Sequence, residues 1–466
     1  MKKTVKIVSA VLASAVVMSF AGCSKKNSAA GANVSDGGLA KWSDVVLGET
    51  YKDVNASIKL LTHRTDMLSA EYPGTNFAKY IAEFNKLYPG IKVEVEGITD
   101  YASVSLLRLQ GGNWGDIMMI PALDKKDLGT YFISFGTIDQ MDSQIKFASQ
   151  WAYNNQVYGI PSTGNAQGVL YNKKVFEKAG IKSVPKTPDE FIAALKAIKA
   201  NTDAIPLYTN YAAGWTMGAW DAYLGGSATG DANYMNNVFL HTQNPFRNYG
   251  DGTHPYAVYK VLYDAAAQKL IEDDYTTTDW EGCKGMINRG EIGTMVLGSW
   301  AFTQMQGAGP NPDDIGYMSF PISINGKQFA SSGPDYCYGI NVNAAADNKK
   351  AALVFVKWMT EKSGFAFNEG GIPIAANDMN YPAAYEAFSA NSVEFVSDAP
   401  ALAGEEDYLN HLNAESELNI NNGGNLKVQQ IIEHGANGTK SFDDIMNEWN
   451  AAWTAAQKSE NIEIKY

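Results

Sequence analysis

The sequence predicts an α/β protein assembled from two α/β units. Three observations carry that reading. Strand and helix patterns alternate from residue 57 to 121, the alternation restarts near 187, and the chain closes in an amphipathic helix. A length of 466 residues suits two or more domains.

Taken in order, Ser57-Ile58-Lys59-Leu60-Leu61-Thr62-His63 reads as a strand. In "TNFAKYIAEFNKLYPG", Phe77, Ile81, Phe84 and Tyr88 share one helical stripe, and Pro89-Gly90 stops it. "IKVEVEGI" alternates, with Ile91, Val93 and Val95 on one face of a second strand. A helical stretch near Val104 to Gln110 precedes "GDIMMIP", an unbroken apolar run between Gly115 and Pro121 of the kind found in buried parallel strands. The second unit starts with a capping box from Thr187 to Glu190, with Pro188 at the first helical position and Phe191, Leu195 and Ile198 facing inward. "AIPLYT" follows as a strand. "KKAALVFVKWMTEKSG" makes a helix through Leu353, Phe355, Val356 and Trp358-Met359, stopped by Gly364. "SFDDIMNEWNAAWTAAQK" makes the last helix, capped by Ser441, and the spacing of Ile445, Trp449 and Trp453 assigns these tryptophans to the core.

The start of the chain has its own order. Lys2, Lys3 and Lys6 precede an apolar run from Ile7 to Phe20, and small residues lead into Cys23, the layout of an export signal. The run is shorter than the ~20 residues of a spanning helix. Phe20-Ala21-Gly22-Cys23 resembles the lipobox of bacterial lipoproteins, which implies cleavage before Cys23 and lipidation of its sulfur, holding the protein at the outer face of the cell membrane. Residues 1–22 are then the signal peptide, and 23–53 the lipidated cysteine and a flexible tether rich in small polar residues.

Charged residues make up 19% and hydrophobic ones 45%, a globular balance. A net charge of −13 argues against a nucleic-acid groove and against adsorption to an anionic membrane surface. Cys283 and Cys337 leave two readings open, one disulfide or two buried thiols. The five histidines are scattered, and no cysteine–histidine cluster has metal spacing, so neither metal nor cofactor is expected. Neither a Gly-x-Ser-x-Gly elbow nor His-Glu-x-x-His nor a phosphate loop occurs, and acid pairs such as Glu405-Glu406 are adjacent and point apart. The expectation is a protein that is not an enzyme.

Residues 156–198, "QVYGIPSTGNAQGVLYNKKVFEKAGIKSVPKTPDEFIAALKAI", resemble the central signature of the family 1 extracellular solute-binding proteins, receptors of carbohydrate ABC importers. The matching pieces are Tyr158-Gly159-Ile160-Pro161, Tyr171-Asn172-Lys173, Phe176 through Gly180-Ile181, and Pro185 to Phe191. "GDIMMI", "GTMVLGSWA", "IGYMSFPI" and "GGIPIA" follow the family in order. The resemblance implies an α/β two-lobe clamp of the periplasmic-binding-protein type (maltose-binding-protein-like), with hinge crossings between the lobes, that closes on a ligand. Crossings are implied near Pro161 to Asn165, near Gly333 to Tyr338 and just after Pro373. One lobe then combines 54–162 with 339–373, the other 166–332 with 376–466. The implied partners are a carbohydrate ligand and the permease subunits of an ABC importer, with the receptor itself a monomer.

A sugar needs flat aromatics for its ring faces and planar polar groups for its hydroxyls. His63, Arg64 and Asp66 end the first strand, at the sheet edge where ligands sit in open α/β folds. Trp215 follows the second-unit strand behind Gly214, as a stacking candidate. The resemblance adds Asp116 as a hydroxyl acceptor, Trp300 of "GSW" as a stacking ring, Asn165 at the first crossing, and Asp335 and Tyr336 at the second. Gly371 admits close backbone approach at the third. Two rival readings are a receptor for a non-sugar solute such as a peptide, which would call for more cationic residues than Arg64, and a surface protein that merely holds polysaccharide.

Overall fold

A computed structural model of the chain describes residues 38–466 except 73, 100 and 422–425. The signal-peptide and Cys23 expectations lie outside the described residues.

The strands of the first lobe start with β1 (Ala56–Thr62), β2 (Ile91–Gly97) and β3 (Ile117–Met119), all parallel, with β1 in the middle. β1 and β3 are apolar on both faces where they are covered, and β2, the edge strand, keeps its alternation, with Ile91 buried and Lys92 exposed. A small sheet of β4 (Gly136–Thr137), β5 (Ala152–Tyr153) and β6 (Gln156–Val157) follows. β7 (Ile160–Pro161) then leads the chain into β8 (Gly164–Asn172), the central strand of the second lobe. β9 (Ile205–Leu207), β10 (Ile292–Gly298), β11 (Ile315–Ser319) and β12 (Phe329–Pro334) join that sheet, with β10, β11 and β12 all antiparallel to β8. β13 (Cys337–Ile340) returns to the first sheet between β3 and β7, and β14 (Glu394–Ser397) lies parallel to β12 at the edge of the second.

The helices form where the sequence places them. Asn76 caps Phe77–Asn85 by accepting from Lys79 N at 3.0 Å, and Phe77, Tyr80 and Phe84 are buried. Thr187 Oγ1 accepts from Glu190 N at the start of Pro188–Asn201. Ala346–Glu361 covers the first sheet, where Phe355 and Trp358 meet Phe84 at ring-centroid distances of 5.1 and 5.7 Å. Phe442–Ser459 closes the second lobe, with Trp449 and Trp453 packed on Phe246 and Trp453 also on Phe239. Cys283 and Cys337 are both buried free thiols.

The tether is shorter than expected. Trp42 is only 2% exposed, meets Phe135 edge to face at 5.8 Å and has Lys357 Nζ 4.6 Å from its ring. Val45 is buried beside it. Residues 42–53 therefore belong to the first lobe, because the indole provides apolar area that polar neighbours in sequence conceal.

Three chain segments cross between the sheets and are hydrogen-bonded to one another. Ser162 N and Oγ both donate to Tyr336 O, at 3.0 and 2.7 Å, and Asp335 N donates to Thr163 O at 2.8 Å. Gly164 and Ile372 exchange backbone bonds of 3.0 and 2.6 Å. Gly371 makes that approach feasible, since a Cβ there would stand 1.9 Å from Thr163 Oγ1 and 2.8 Å from Gly164 O. Gly371→Ala should therefore push the crossings apart and lose on the order of 1–3 kcal/mol of stability, seen as a lower melting temperature. Gly333→Ala is the control, because a Cβ there meets nothing within 4 Å; its melting temperature should not move.

Candidate ligand cleft

Strand direction decides which residues reach the space between the lobes. β1, β2 and β3 point their carboxyl ends toward the crossings, since β13 enters beside the end of β3, with Tyr338 opposite Met119. In the second sheet, β10, β11 and β12 run antiparallel to β8 and end near its start, at the first crossing. The cleft is thus lined by residues that follow these strands.

On the first lobe, His63 follows β1. Its ring stacks on Tyr336 at 4.3 Å, tilted by 31°, and meets Tyr101 edge to face at 6.0 Å. Tyr336 also meets Tyr101 at 5.4 Å. Burial pushes the His63 imidazole below its ordinary range, against the pull of Asp335. Its Nδ1 is buried and has no hydrogen-bond partner among the described residues.

Arg64 and Asp66 form a brace. The guanidinium grips Asp66 through two bonds, Nε to Oδ1 at 2.9 Å and Nη2 to Oδ2 at 2.8 Å. Nη2 also lies 2.8 Å from Glu369 Oε2 and donates to Tyr72 Oη at 2.9 Å. Tyr72 Oη donates to Glu369 at 2.7 Å. Glu369 stands two residues before Gly371, so this network ties the end of β1 to the third crossing.

Asn165, Asp335 and Tyr336 lie on the crossings themselves. Asn165 is 7% exposed, and Ser299 Oγ approaches its Oδ1 at 3.5 Å. Asp335 accepts from Tyr336 N at 2.8 Å.

On the second lobe, Trp215 and Trp300 come together after β9 and β10, with ring centroids 5.6 Å apart. Trp280 completes a triangle, 4.9 Å from Trp215 and 5.8 Å from Trp300. Trp215 is 42% exposed, an open indole face beside two partly covered ones. Gly298 lets the Trp300 ring fold back over the strand end, for a Cβ at Gly298 would sit 2.6 Å from the indole Nε1. Trp220 and Asp221, neighbours of Trp215 in sequence, are core: Asp221 accepts from Tyr259 Oη at 2.7 Å and Asn421 N at 3.0 Å.

Asp116 stands elsewhere. It precedes β3, at the amino edge of the first sheet, and its carboxylate accepts from Lys59 N and Asn348 Nδ2, both at 2.9 Å. Because β3 runs toward the crossings, the residue before it lies on the far side from the cleft. Its role is to join β1, β3 and the Ala346–Glu361 helix.

Residues that the sequence reading passed over also line this region. Tyr101, Tyr72, Glu369 and Trp280 come from distant segments, and only their contacts reveal them. Lys125, in the turn after β3, is half-buried; burial lowers its pKa, opposed by Asp407 and Glu406 of the second lobe. Opposite charges thus face each other across the two lobes. Among the described residues no group of histidine, cysteine and acidic side chains is placed to hold a metal ion.

The family model for bacterial extracellular solute-binding proteins matches residues 70–364. A solved structure with 52% sequence identity and a TM-score of 0.87, covering 91% of this chain and 100% of its own, is a manno-oligosaccharide specific solute binding protein from Bifidobacterium animalis subsp. lactis in complex with mannotriose. A second protein from that organism, a binding protein of an ABC transporter in complex with mannobiose, matches with the same identity, coverage and TM-score. The multiple sugar-binding protein of Streptococcus mutans is 26% identical over 323 residues, 65% of this chain and 74% of its own. The fold extends to a raffinose complex of a binding protein at 19% identity and a TM-score of 0.63, over 86% of this chain and all of that one. With two α/β lobes, three crossings and a family match over most of its length, the chain belongs to the bacterial extracellular solute-binding proteins and has their maltose-binding-protein-like two-lobe fold.

Proposed function

We propose that this protein is the receptor of an ABC importer for manno-oligosaccharides of two or three sugar units, which it encloses between its lobes. The observation that carries this reading is the 52% identity, across 91% of the chain, to a binding protein holding mannotriose. The cleft chemistry supports it. A tryptophan triangle on the second lobe provides flat apolar faces, while His63 on the first lobe and Asn165 and Asp335 on the crossings provide hydroxyl partners. The one arginine among the candidates is paired with two carboxylates, which leaves no free guanidinium for an anionic or peptide ligand.

The lobes divide near 162–166, 332–339 and 373–376, and closure turns about those segments. Location follows from family membership, which is extracytoplasmic. A lipid on Cys23 holds the monomeric receptor at the membrane, where it meets the permease subunits, and nucleic acid has no part. The action is binding and delivery, with no chemical change to the ligand and no cofactor.

Tryptophan fluorescence titrations test the ligand. Mannobiose and mannotriose should bind well over tenfold more tightly than maltose, cellobiose or a tripeptide; equal binding of these, or none of the mannosides, would reject the reading. Trp300→Ala removes a stacking face worth on the order of 1–2 kcal/mol, roughly tenfold in affinity, while the unliganded melting temperature changes little. Trp449→Ala should do the reverse, losing about 3–5 kcal/mol of stability with little effect on affinity in the folded fraction. Cys23→Ala should move the protein from the detergent phase to the aqueous phase of a Triton X-114 partition with ligand affinity unchanged. Retention in the detergent phase contradicts the anchor.

A further inference from the structure

Two loops leave the second sheet side by side. Leu207 of β9 bridges in parallel to Ile271, and β9 is itself parallel to β10, so both chains run out toward the cleft. Residues 208–214 lead to Trp215, and residues 272–279 lead to Trp280. Those two rings meet at 4.9 Å.

The loops are laced together by printed contacts of side chain to backbone. Where they leave the sheet, the Glu272 carboxylate accepts from Thr209 N at 2.9 Å and from Thr209 Oγ1. Thr209 Oγ1 accepts in turn from Tyr211 N at 3.2 Å. That bond shapes the turn at Asn210, a left-handed residue (φ +57°) whose carbonyl accepts from Thr216 Oγ1 at 2.8 Å. Farther out, Ala212 N donates to Thr278 Oγ1 and Asp279 N donates to Tyr208 Oη, both at 2.8 Å. The Tyr211 and Tyr275 rings meet edge to face at 4.9 Å. Glu272 is 7% exposed and Thr209 5%, so bulk water does not replace a bond lost between them.

The lacing bears on the stacking surface. Lys284 covers Trp280, with Nζ 4.8 Å from the ring and 2.9 Å from Glu281. Trp215 keeps an open face and stands at 83° to Trp280, which acts as its buttress. The plane of Trp215 thus depends on how the two loops sit against each other, and Glu272 sets that at their base.

We propose that Glu272 is a positioning residue of the ligand platform: by holding Thr209 it joins the Trp215 loop to the Trp280 loop and fixes the plane on which a sugar ring stacks. This rests on the sugar-receptor reading above and deepens it to the support beneath the stacking ring. A ring already held in its bound orientation loses little freedom on binding, whereas a loose one must be ordered at the expense of affinity. Removing the acceptor leaves Thr209 N buried and unbonded, which the loop relieves by moving away.

The test compares Glu272→Leu, Glu272→Gln and Thr209→Val with the parent by mannotriose calorimetry, thermal melting, and far-ultraviolet circular dichroism without ligand. Indole rings a few ångström apart and not parallel couple their transitions into a pair of bands of opposite sign, so the dichroism reads the geometry of the tryptophan triangle directly. Trp215→Phe should remove most of that signal, which assigns it. Glu272→Leu should lose the same signal and bind mannotriose about tenfold more weakly. Glu272→Gln should restore both, since its amide oxygen accepts from Thr209 N and its amide nitrogen donates to Thr209 Oγ1. Thr209→Val, which keeps the backbone bond and loses the hydroxyl, should fall between. Gln457→Leu is the control for lost stability alone: Gln457 is fully buried in the last helix and donates to Leu240 O and Thr242 O at 2.8 and 3.1 Å. It should melt earlier than the parent, with the parent's bands and affinity. Parental bands in Glu272→Leu, or lost bands with affinity within twofold of the parent, overturn the positioning role, as does the same loss of bands and affinity in Gln457→Leu. Should Glu272→Leu fail to fold, Thr209→Val decides by the same criteria. A parent that binds no mannoside overturns the sugar reading, while the dichroism of the unliganded variants still decides the lacing.

Discussion

The backbone bonds among the three crossings are the constraint on which the molecule depends. Ser162, Thr163 and Gly164 bond on one side to Asp335 and Tyr336 and on the other to Ile372, so residues distant in sequence form one short ribbon. Gly371 against Thr163 sets how closely the third strand of that ribbon can lie. The ribbon fixes where the two sheets end, and His63, Trp300, Asp335 and Tyr336 are each positioned by the end of a strand. A bond network within the hinge, in place of a single flexible linker, also limits the lobes to few degrees of freedom, which is what an open-and-shut clamp requires.

The two walls differ in chemistry. The first lobe contributes an aromatic floor, His63 on Tyr336 and Tyr101, behind which Arg64, Asp66, Tyr72 and Glu369 neutralise one another. That network acts on geometry, because charges so fully paired gain little from a neutral ligand, and its breakage would free the end of β1 from the third crossing. The second lobe contributes the tryptophan triangle, and Asn165 stands at the first crossing. A ligand with apolar faces and a hydroxyl rim is complementary to both walls at once.

Much of this was legible in the sequence, for reasons that particular elements make plain. Helices Ala346–Glu361 and Phe442–Ser459 and the buried run of β3 show in the apolar pattern alone, since burial requires it. His63 was expected at the sheet edge because it follows a recognisable strand, whereas Trp300 was drawn from the family resemblance. The same reasoning, applied to the end of β3, would have set Asp116 aside, because it comes before its strand and not after it. Trp42 was hidden by the polar, glycine-rich residues around it, which look like tether until the indole is seen in the core. The pairing of Glu369 with Arg64 and the approach of Trp280 to Trp215 are products of contact between segments up to hundreds of residues apart. No local pattern encodes them.

Small-angle X-ray scattering of the mature protein, with and without saturating mannotriose, tests the central claim most directly, that the crossings act as a hinge which closes two lobes over a sugar. The account predicts a smaller radius of gyration and a narrower pair-distance distribution with the sugar bound. An unchanged curve at a concentration where calorimetry shows full occupancy would contradict it.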